Sequence, residues 1–226
     1  MCGIVAYIGK KDPQHLLMEG LKRLEYRGYD SAGIFLCSSS DHQLSKITGK
    51  VNELSKILEI KPSIRPHLGI GHTRWATHGV PNDTNAHPHR SNSGNLFMVH
   101  NGIIENYDTL KKELVKRGYS FYSDTDSEVL VNLIEEIQAK ENIELAKAVQ
   151  IALNQVVGAY GIVLCDIRKP DELVVARLGS PLAIGLGEDS FFVGSDATPF
   201  LDYTRKVVYL EDNEIAVCLL YTSDAA

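Results

Sequence analysis

Cys2-Gly3-Ile4-Val5-Ala6-Tyr7-Ile8 is the first apolar stretch of the chain, and Gly9 follows it. An apolar run of this length, ended by a glycine, predicts a strand. Removal of Met1 would make Cys2 the first residue and place its thiol beside its own free α-amine. An α-amine has a pKa of about 8, so it could accept the proton of the thiol and activate it as a nucleophile. The alternative is that Cys2 is only a small residue at the start of a strand.

The rest of the chain alternates between strand-like and helix-like patterns. Asp12-Pro13 predicts the start of a helix over residues 13–25. Other helices are predicted over residues 50–59, 107–117, 127–139 and 143–157, and strands over 32–37, 44–48, 69–75, 96–100, 159–166, 172–177, 182–186, 191–194, 207–210 and 215–219. Short strands with intervening helices predict one layered α+β domain, with helices outside two stacked sheets.

Composition limits the classes of partner and compartment. The chain has 226 residues, a net charge of −6 and no run of Lys and Arg, so we expect no nucleic-acid partner. No stretch approaches the roughly 20 apolar residues that cross a bilayer, so we expect no membrane partner. The first strand has no basic segment before it, which argues against a signal peptide. The four cysteines are scattered, which argues against a disulfide framework and favours the cytoplasm.

Two polar stretches are candidates for a functional site. Asn101-Gly102 follows a predicted strand, and a side-chain amide next to a flexible backbone N–H can form an oxyanion hole, although Asn-Gly in this position is also a common turn. The second stretch, residues 71–79, contains Arg74, Trp75, Thr77 and His78. Its arginine could bind a carboxylate through two hydrogen bonds, and the alternative is a solvated loop around one packed tryptophan. Beyond it, residues 77–95 predict a long irregular loop that is functional or mobile.

Metal and cofactor sites are less well supported. The chain has five histidines between residues 72 and 100, which are His72, His78, His87, His89 and His100. Some metal sites use the spacing of His87-Pro88-His89, but Asp83 is the only carboxylate in this stretch and no cysteine lies close to it. We therefore expect no metal. Gly185-Leu186-Gly187 lacks the third glycine and the following helix of a dinucleotide-binding motif, and we expect no cofactor.

Five motifs together resemble one family. They are Cys2-Gly3-Ile4-Val5, residues 24–33 (LEYRGYDSAG), residues 72–79 (HTRWATHG), residues 100–106 (HNGIIEN) and residues 125–128 (TDSE). The chain is similar, over residues 2–218, to the N-terminal glutaminase domain of the glutamine–fructose-6-phosphate aminotransferase (glucosamine-6-phosphate synthase) family. Class II glutamine amidotransferases share the opening Cys-Gly-Ile, and the second and third motifs are specific to this family. The resemblance implies the N-terminal-nucleophile hydrolase fold, a four-layer αββα sandwich of two mainly antiparallel sheets.

The resemblance also implies a role for each matching residue. Cys2 would attack the side-chain amide of L-glutamine, and Asn101 and Gly102 would form the oxyanion hole. The implied substrate-binding residues are Arg74 for the α-carboxylate with Thr77 and His78 beside it, Asp126 for the α-ammonium, Arg27 at the Cys2 end, and Trp75 on the loop that closes over glutamine. Ammonia would leave, and water would hydrolyse the γ-glutamyl thioester to glutamate. In the full-length family enzyme, the ammonia converts fructose 6-phosphate into glucosamine 6-phosphate.

The family pattern ends before the chain does. We expect the glutaminase domain over residues 2–219 and an atypical, poorly ordered tail over residues 220–226. The C-terminal sugar isomerase domains of the family are expected to be absent. Fructose 6-phosphate is therefore expected as a partner only through that isomerase half, and the full-length family enzyme is expected to be a homodimer or a larger assembly.

Other functions fit parts of the sequence. Within the same class, amidophosphoribosyltransferase and asparagine synthetase domains are rivals, but their counterparts of residues 26–30 and 73–75 differ. A catalytically silent amino-acid sensor would keep the binding residues, and retention of Met1 would favour it. A zinc-binding module would use the histidines, and stoichiometric zinc would favour it.

Overall fold

Strand β1 (Gly3–Gly9) contains the apolar stretch near the start of the chain. The computed structural model describes residues 2–60 and 64–220. Within these ranges the other strands are β2 (Ser31–Cys37), β3 (His42–Thr48), β4 (Leu68–Arg74), β5 (His89–Arg90), β6 (Leu96–Ile104), β7 (Gly158–Asp166), β8 (Lys169–Leu178), β9 (Ala183–Leu186), β10 (Ser190–Gly194), β11 (Val207–Tyr209) and β12 (Ile215–Leu219). The helices are α1 (Pro13–Arg23), α2 (Val51–Ile60), α3 (Tyr107–Lys116), α4 (Asp126–Glu141) and α5 (Leu145–Leu153), and 3₁₀ turns cover Glu25–Arg27 and Thr198–Phe200.

The described strands form two sheets. Seven of them follow the order β11-β9-β10-β1-β4-β2-β3, and five follow the order β12-β8-β7-β6-β5. Each neighbouring pair within the two sheets is antiparallel. Strand β1 lies in the middle of the first sheet and β6 lies inside the second. The strand that follows the candidate nucleophile and the strand that carries the Asn-Gly pair are thus both interior strands.

Three layers of apolar side chains hold the sheets and helices together. One lies between the first sheet and helices α1 and α2, a second lies between the two sheets, and a third lies between the second sheet and helices α3, α4 and α5. This arrangement is helix, sheet, sheet, helix. The predicted α+β class and the four-layer αββα sandwich are confirmed.

The residues of β1 explain why this strand is central. Alternate side chains of a strand point to opposite faces. Ile4, Ala6 and Ile8 pack into the layer between the sheets, whereas Val5 and Tyr7 pack against the helices. Because the strand is apolar on both faces, it is stable only in the interior of a layered fold. Cys2 therefore lies directly before the first residue of a central strand.

The structure corrects two predicted boundaries. Strand β6 does not end before Asn101; it continues to Ile104, because β7 pairs with it along its whole length, from Leu96 with Asp166 to Ile104 with Gly158. Helix α5 ends at Leu153 instead of residue 157. The carbonyl of Val157 accepts a hydrogen bond from the Glu105 backbone N–H at 2.8 Å, so this segment bonds to the end of β6 and not to the helix.

Other expectations have mixed outcomes. Asp12 caps α1 by accepting a hydrogen bond from the Gln14 N–H, as predicted. The loop over residues 77–95 contains the short strand β5, which the sequence did not predict.

Leu220, assigned to a poorly ordered tail, is instead bonded to the chain, since its N–H donates to the Asp171 carbonyl at 2.9 Å. The rest of that tail, residues 221–226, lies outside the described residues. Within the described ranges, no helix has the length and apolar character needed to cross a membrane.

Candidate active site

Cys2 lies immediately before β1 and is half-buried. The backbone N–H of Trp75 donates a hydrogen bond to the Cys2 Sγ at 3.2 Å. Burial raises the pKa of the Cys2 thiol, and the Trp75 N–H counteracts part of that effect. The Cys2 carbonyl oxygen accepts hydrogen bonds from Arg27 Nη1 at 3.0 Å and from Asn101 Nδ2 at 3.4 Å. Three of the predicted site residues therefore contact Cys2 directly.

Arg27 reaches Cys2 from the 3₁₀ turn after α1. Its Nη2 lies 3.3 Å from a carboxylate oxygen of Asp196, and the Tyr26 hydroxyl donates to the same carboxylate oxygen at 3.0 Å. Asp196 follows β10, which pairs with β1. The carboxylate thus orients the guanidinium that binds the Cys2 carbonyl.

Asn101 and Gly102 lie next to each other on β6, opposite Gly161 and Tyr160 of β7. Asn101 is 8% exposed. Gly102 has a φ of +131°, and a Cβ atom at this position would lie 2.0 Å from the Ala159 carbonyl oxygen. Only glycine fits this position, because other residues would be strained and would collide with β7. The pair is a strand feature and not the turn that the Asn-Gly sequence also allowed.

Arg74 is the last residue of β4 and is only 3% exposed. Its Nη2 donates hydrogen bonds to the carbonyls of His78 and Gly79. Its Nη1 is buried and has no hydrogen-bond partner among the described residues. Burial lowers the pKa of the guanidinium, and the nearby carboxylate of Asp30 opposes that effect. A buried cationic group with one uncommitted N–H face is suited to bind an anion that enters from solvent.

Asp126 is buried at the first residue of α4. Its Oδ2 accepts a hydrogen bond from the Ile104 backbone N–H at 2.8 Å, which connects the helix to the end of β6. The Thr125 side chain caps the helix by accepting a hydrogen bond from the Glu128 N–H. The cap and the strand contact together hold the Asp126 carboxylate at the Ile104 end of β6, two residues along the chain from Gly102.

The remaining predicted residues lie on the loop after β4. Trp75 is 54% exposed. Thr77 is exposed, and no hydrogen bond to another described residue fixes its side chain. The His78 ring is half-buried and lies edge-on to Tyr107, with 5.1 Å between the ring centroids. The structure therefore brings Cys2, Arg27, Asn101 and Trp75 together by direct contacts, and it leaves Thr77 without such a contact.

Sequence reasoning missed three residues that organise the site. Asp30 accepts a hydrogen bond from the Ala76 N–H at 2.6 Å, which holds the loop after β4. Asp30 belongs to the second family motif, and that was a usable signal. Asp196 holds Arg27, and the Ser195 hydroxyl accepts a hydrogen bond from the Asn101 Nδ2 at 2.9 Å. These two lie far along the chain from β1, so no local pattern could have pointed to them.

Four of the five histidines are buried together behind the site, and they are His72, His87, His89 and His100. The rings of His87 and His100 each make a hydrogen bond with the Ser127 hydroxyl, at 2.9 Å and 2.8 Å. Burial lowers the pKa of all four, that of His72 to about 3. Within the described ranges, no group of three or more His, Cys, Asp or Glu side chains could hold a metal ion. These histidines are neutral members of a buried polar layer.

The sequence of this chain matches a family model and two curated relatives. A family model for the glutamine amidotransferase domain matches residues 72–202. Glutamine–fructose-6-phosphate aminotransferase (isomerizing) of Bacteroides thetaiotaomicron is 56% identical over 218 residues, which is 96% of this chain and 35% of the relative. The enzyme of the same name from Chlorobaculum tepidum is 54% identical over 220 residues, covering 96% of this chain and 36% of the relative. The chain thus spans about a third of the length of the curated relatives it matches.

The fold comparison points the same way. The structure of glutamine phosphoribosylpyrophosphate amidotransferase from B. subtilis, in complex with ADP and GMP, superposes with a TM-score of 0.76 at 25% sequence identity. The superposition covers 98% of this chain and 50% of that chain. Because the family model spans more than half of the sequence and the shared fold extends over nearly all of it, this chain belongs to the class II glutamine amidotransferases.

Proposed function

We propose that this domain hydrolyses the side-chain amide of L-glutamine to glutamate and ammonia through a thioester on Cys2. The observation that carries the proposal is the hydrogen bond from the Asn101 amide to the carbonyl oxygen of Cys2, with the uncommitted Nη1 of buried Arg74 on the neighbouring strand β4. A thiol suits the amide end of glutamine, and a buried guanidinium suits its carboxylate end.

The reaction begins with attack of the Cys2 Sγ on the amide carbon. Once Met1 is removed, the α-amine of Cys2 accepts the thiol proton. The carbonyl oxygen becomes an oxyanion, which accepts hydrogen bonds from Asn101 Nδ2 and the Gly102 N–H. When the carbon–nitrogen bond breaks, the amide nitrogen takes the proton from the ammonium and leaves as ammonia. Water then adds to the γ-glutamyl thioester, and cleavage of the carbon–sulfur bond gives glutamate and restores the thiol.

The charged ends of glutamine are bound by residues on the two sides of this centre. Arg74 binds the α-carboxylate, with Thr77 and His78 beside it, and Asp126 binds the α-ammonium. A cation for an anion and an anion for a cation give both affinity and orientation. Trp75 lies on the loop that closes over the substrate, and Arg27 positions the Cys2 end.

The whole protein is proposed to pass the ammonia to fructose 6-phosphate and form glucosamine 6-phosphate. The support is the name shared by the relatives at 56% and 54% identity, which are about three times as long as this chain. The sugar phosphate would be bound outside the present residues, by an isomerase half, in a homodimer or a larger assembly. The four cysteines, which are free among the described residues, favour the reducing cytoplasm as its location.

Glutamate release by the purified chain tests the proposed reaction. Intact mass first establishes that Met1 has been removed. The processed chain is expected to release glutamate and ammonia in equal amounts, and Cys2→Ala is the matched inactive control. Binding of glutamine without turnover would favour the sensor hypothesis, and stoichiometric zinc in the purified protein would favour the metal-binding hypothesis. Either result, with no glutamate released, contradicts the proposal.

A further inference from the structure

We propose that His72 is a positioning residue that fixes the rotation of the Asn101 side-chain amide, so that its NH₂ group faces Cys2 and bonds to Ser195. The inference rests on the proposed function, in which that NH₂ group binds the oxyanion. An amide has nearly the same shape when it is turned by half a rotation, and only its hydrogen-bond partners decide which end is the donor.

The hydrogen bonds of His72 determine which ring nitrogen carries its proton. Its Nε2 lies 3.1 Å from the His100 carbonyl oxygen, which can only accept a hydrogen bond. Nε2 therefore carries the hydrogen. The same nitrogen lies 2.9 Å from Asn101 Oδ1, so this atom of the amide must be the acceptor. The opposite nitrogen of His72, Nδ1, is unprotonated in this tautomer and has no partner among the described residues.

The other end of the Asn101 amide contacts Ser195 and Cys2. Asn101 Nδ2 lies 2.9 Å from the Ser195 hydroxyl oxygen and 3.4 Å from the Cys2 carbonyl oxygen. The Ser195 hydroxyl oxygen also accepts a hydrogen bond from the Ile4 N–H at 2.7 Å. The turned amide would bring its oxygen against the Cys2 carbonyl and its N–H against the N–H of His72. Both contacts are repulsive, so only one rotation of Asn101 is stable.

His72 and Ser195 come from the two segments that flank β1. On β1, Ile4 lies opposite His72 of β4, and its backbone bonds on the other side to Ser195, which follows β10. The first sheet therefore presents His72 and Ser195 on either side of Ile4, directly under Asn101 of the second sheet. His72 is 0% exposed and Ser195 is 2% exposed, so water does not compete for their hydrogen bonds.

Burial also keeps the assignment constant with pH. It lowers the pKa of His72 to about 3, so the ring is neutral over the range in which an enzyme of this kind is assayed. A neutral ring with a fixed tautomer is a permanent donor to Asn101. If His72 gained a proton, that proton would bind at Nδ1, and Nε2 would keep its hydrogen. The hydrogen bond from Nε2 to Asn101 Oδ1 therefore does not depend on the protonation state of the ring.

The kinetic test compares His72→Leu with His89→Leu. Both remove a buried histidine from the same polar layer, but His89 bonds to the Thr125 hydroxyl and not to Asn101. We expect His72→Leu to lower kcat about tenfold or more with KM changed by less than about threefold, because an oxyanion donor acts mainly in the transition state. His89→Leu is expected to keep kcat within about twofold. His72→Gln, which restores an N–H donor, is expected to recover most of the loss.

A double variant separates positioning from general damage. In an Asn101→Ala background, His72→Leu should lower kcat by no more than about a further twofold, because the group that it orients is already gone. A full additional tenfold loss, or an equal loss of kcat in His89→Leu, would overturn the proposal. If His72→Leu does not fold, His72→Phe, which keeps a ring but has no N–H, gives the same comparison in the same two backgrounds.

A spectroscopic measurement on the unaltered chain needs neither activity nor a variant. Nitrogen-15 NMR correlations of the imidazole should show the Nε2–H tautomer for His72 and a slowly exchanging Asn101 side-chain NH₂ pair. An Nδ1–H tautomer would overturn the proposal even in an active enzyme. If the unaltered chain shows the expected tautomer and a protected NH₂ pair but has no glutaminase activity, the proposed function is contradicted. The orientation of Asn101 is then still supported.

Discussion

At the scale of single residues, the reactivity of Cys2 depends on where its proton goes. Burial raises the pKa of the thiol, so the thiol keeps its proton at neutral pH unless a base is present. The proposed base is the free α-amine that Cys2 has once Met1 is removed. We expect Cys2→Ala to abolish glutamate release without altering the fold. A chain with an uncleaved residue ahead of Cys2 should be equally inactive, because its base has become an amide.

Glutamate release and intact mass, measured on the same samples, check this prediction. Circular dichroism supplies the control for folding. Activity of Cys2→Ala within a few-fold of the unaltered chain would exclude Cys2 as the nucleophile. If the extended chain is active and Cys2→Ala is not, Cys2 remains the nucleophile but its α-amine is excluded as the base.

Asn101 and Arg74 should differ in the kinetic constant that they affect. Asn101→Ala is expected to lower kcat about a hundredfold with little change in KM, because its donor acts on the oxyanion. Arg74→Ala and Asp126→Ala are expected chiefly to raise KM, because the substrate charges that they are proposed to bind are the same in the ground and transition states. Steady-state kinetics over a range of glutamine concentrations separates the two effects.

The matched control is Arg117→Ala, which removes an arginine that pairs with Glu136 on the outer helices. Its kinetic constants should be unchanged. A rise in KM alone for Asn101→Ala would show that the oxyanion role is wrong. An unchanged KM for Arg74→Ala would show that its free Nη1 does not bind the substrate carboxylate.

The sequence alone indicates some residues of the candidate site and misses others. The ones that it misses contact the site only across a large separation along the chain. Cys2, Arg74 and Asn101 lie in short motifs whose chemistry is recognisable. Ser195 contacts Ile4 across 191 positions of sequence, so its role exists only after β10 has paired with β1. Asp196 reaches Arg27 by the same strand pairing. No local pattern encodes such a contact.

At the scale of elements, β6 carries the candidate oxyanion hole inside a strand instead of at its end. Gly102→Ala should therefore damage the strand itself. The new Cβ would lie 2.0 Å from the Ala159 carbonyl at a φ of +131°. We expect a loss of roughly 3–5 kcal/mol in the free energy of unfolding, from the strain and the collision together, and loss of activity. Urea denaturation measures the first effect.

Gly118→Ala is the control for Gly102→Ala, because it adds backbone strain without a collision. Gly118 follows α3 with a φ of +94°, and nothing lies within 4 Å of a Cβ at that position. This variant should lose only about 1–2 kcal/mol, which is the cost of the left-handed conformation. Equal losses in the two variants would contradict the close packing of β6 on β7.

The elements that the sequence placed well are those with strong apolar patterns. Strand β1 and helix α1 fall where the hydrophobic residues and the Asp12 cap predict them. The end of β6 was misplaced because Asn-Gly is a frequent turn, and only the partner strand β7 extends the pairing through it. The end of α5 was misplaced because its last apolar residues are used in a contact with the end of β6.

At the scale of the whole molecule, the buried histidines make stability depend on pH. The four have pKa values below that of an unfolded histidine, which is about 6.5. At a pH below 6.5 the unfolded chain binds more protons than the folded chain. Their contribution to stability is therefore complete above about pH 6.5 and is lost as the pH falls below it, by up to about 1.4 kcal/mol per pH unit for each histidine.

Thermal or urea unfolding between about pH 7 and pH 5 checks this prediction, since the ordinary pKa values of Asp and Glu lie below that window. His89→Gln removes one titrating ring and should reduce the slope by about one quarter of the histidine contribution. A stability that is flat over this window would show that the rings are not buried in the neutral state.

Ammonia released by a chain of this length should leave the site into solvent. The candidate site opens to solvent through half-buried Cys2 and a Trp75 side chain that is 54% exposed. A polypeptide of these 226 residues is about a third of the length of its relatives, and the acceptor site is proposed to lie in the remaining two thirds. The loop around Trp75 should then close on glutamine alone, and ammonia should escape into solvent. We expect glutamate and free ammonia in equal amounts, with no effect of fructose 6-phosphate on the rate. Amino-sugar formation, or clear stimulation by the sugar phosphate, would place an acceptor site within the present chain.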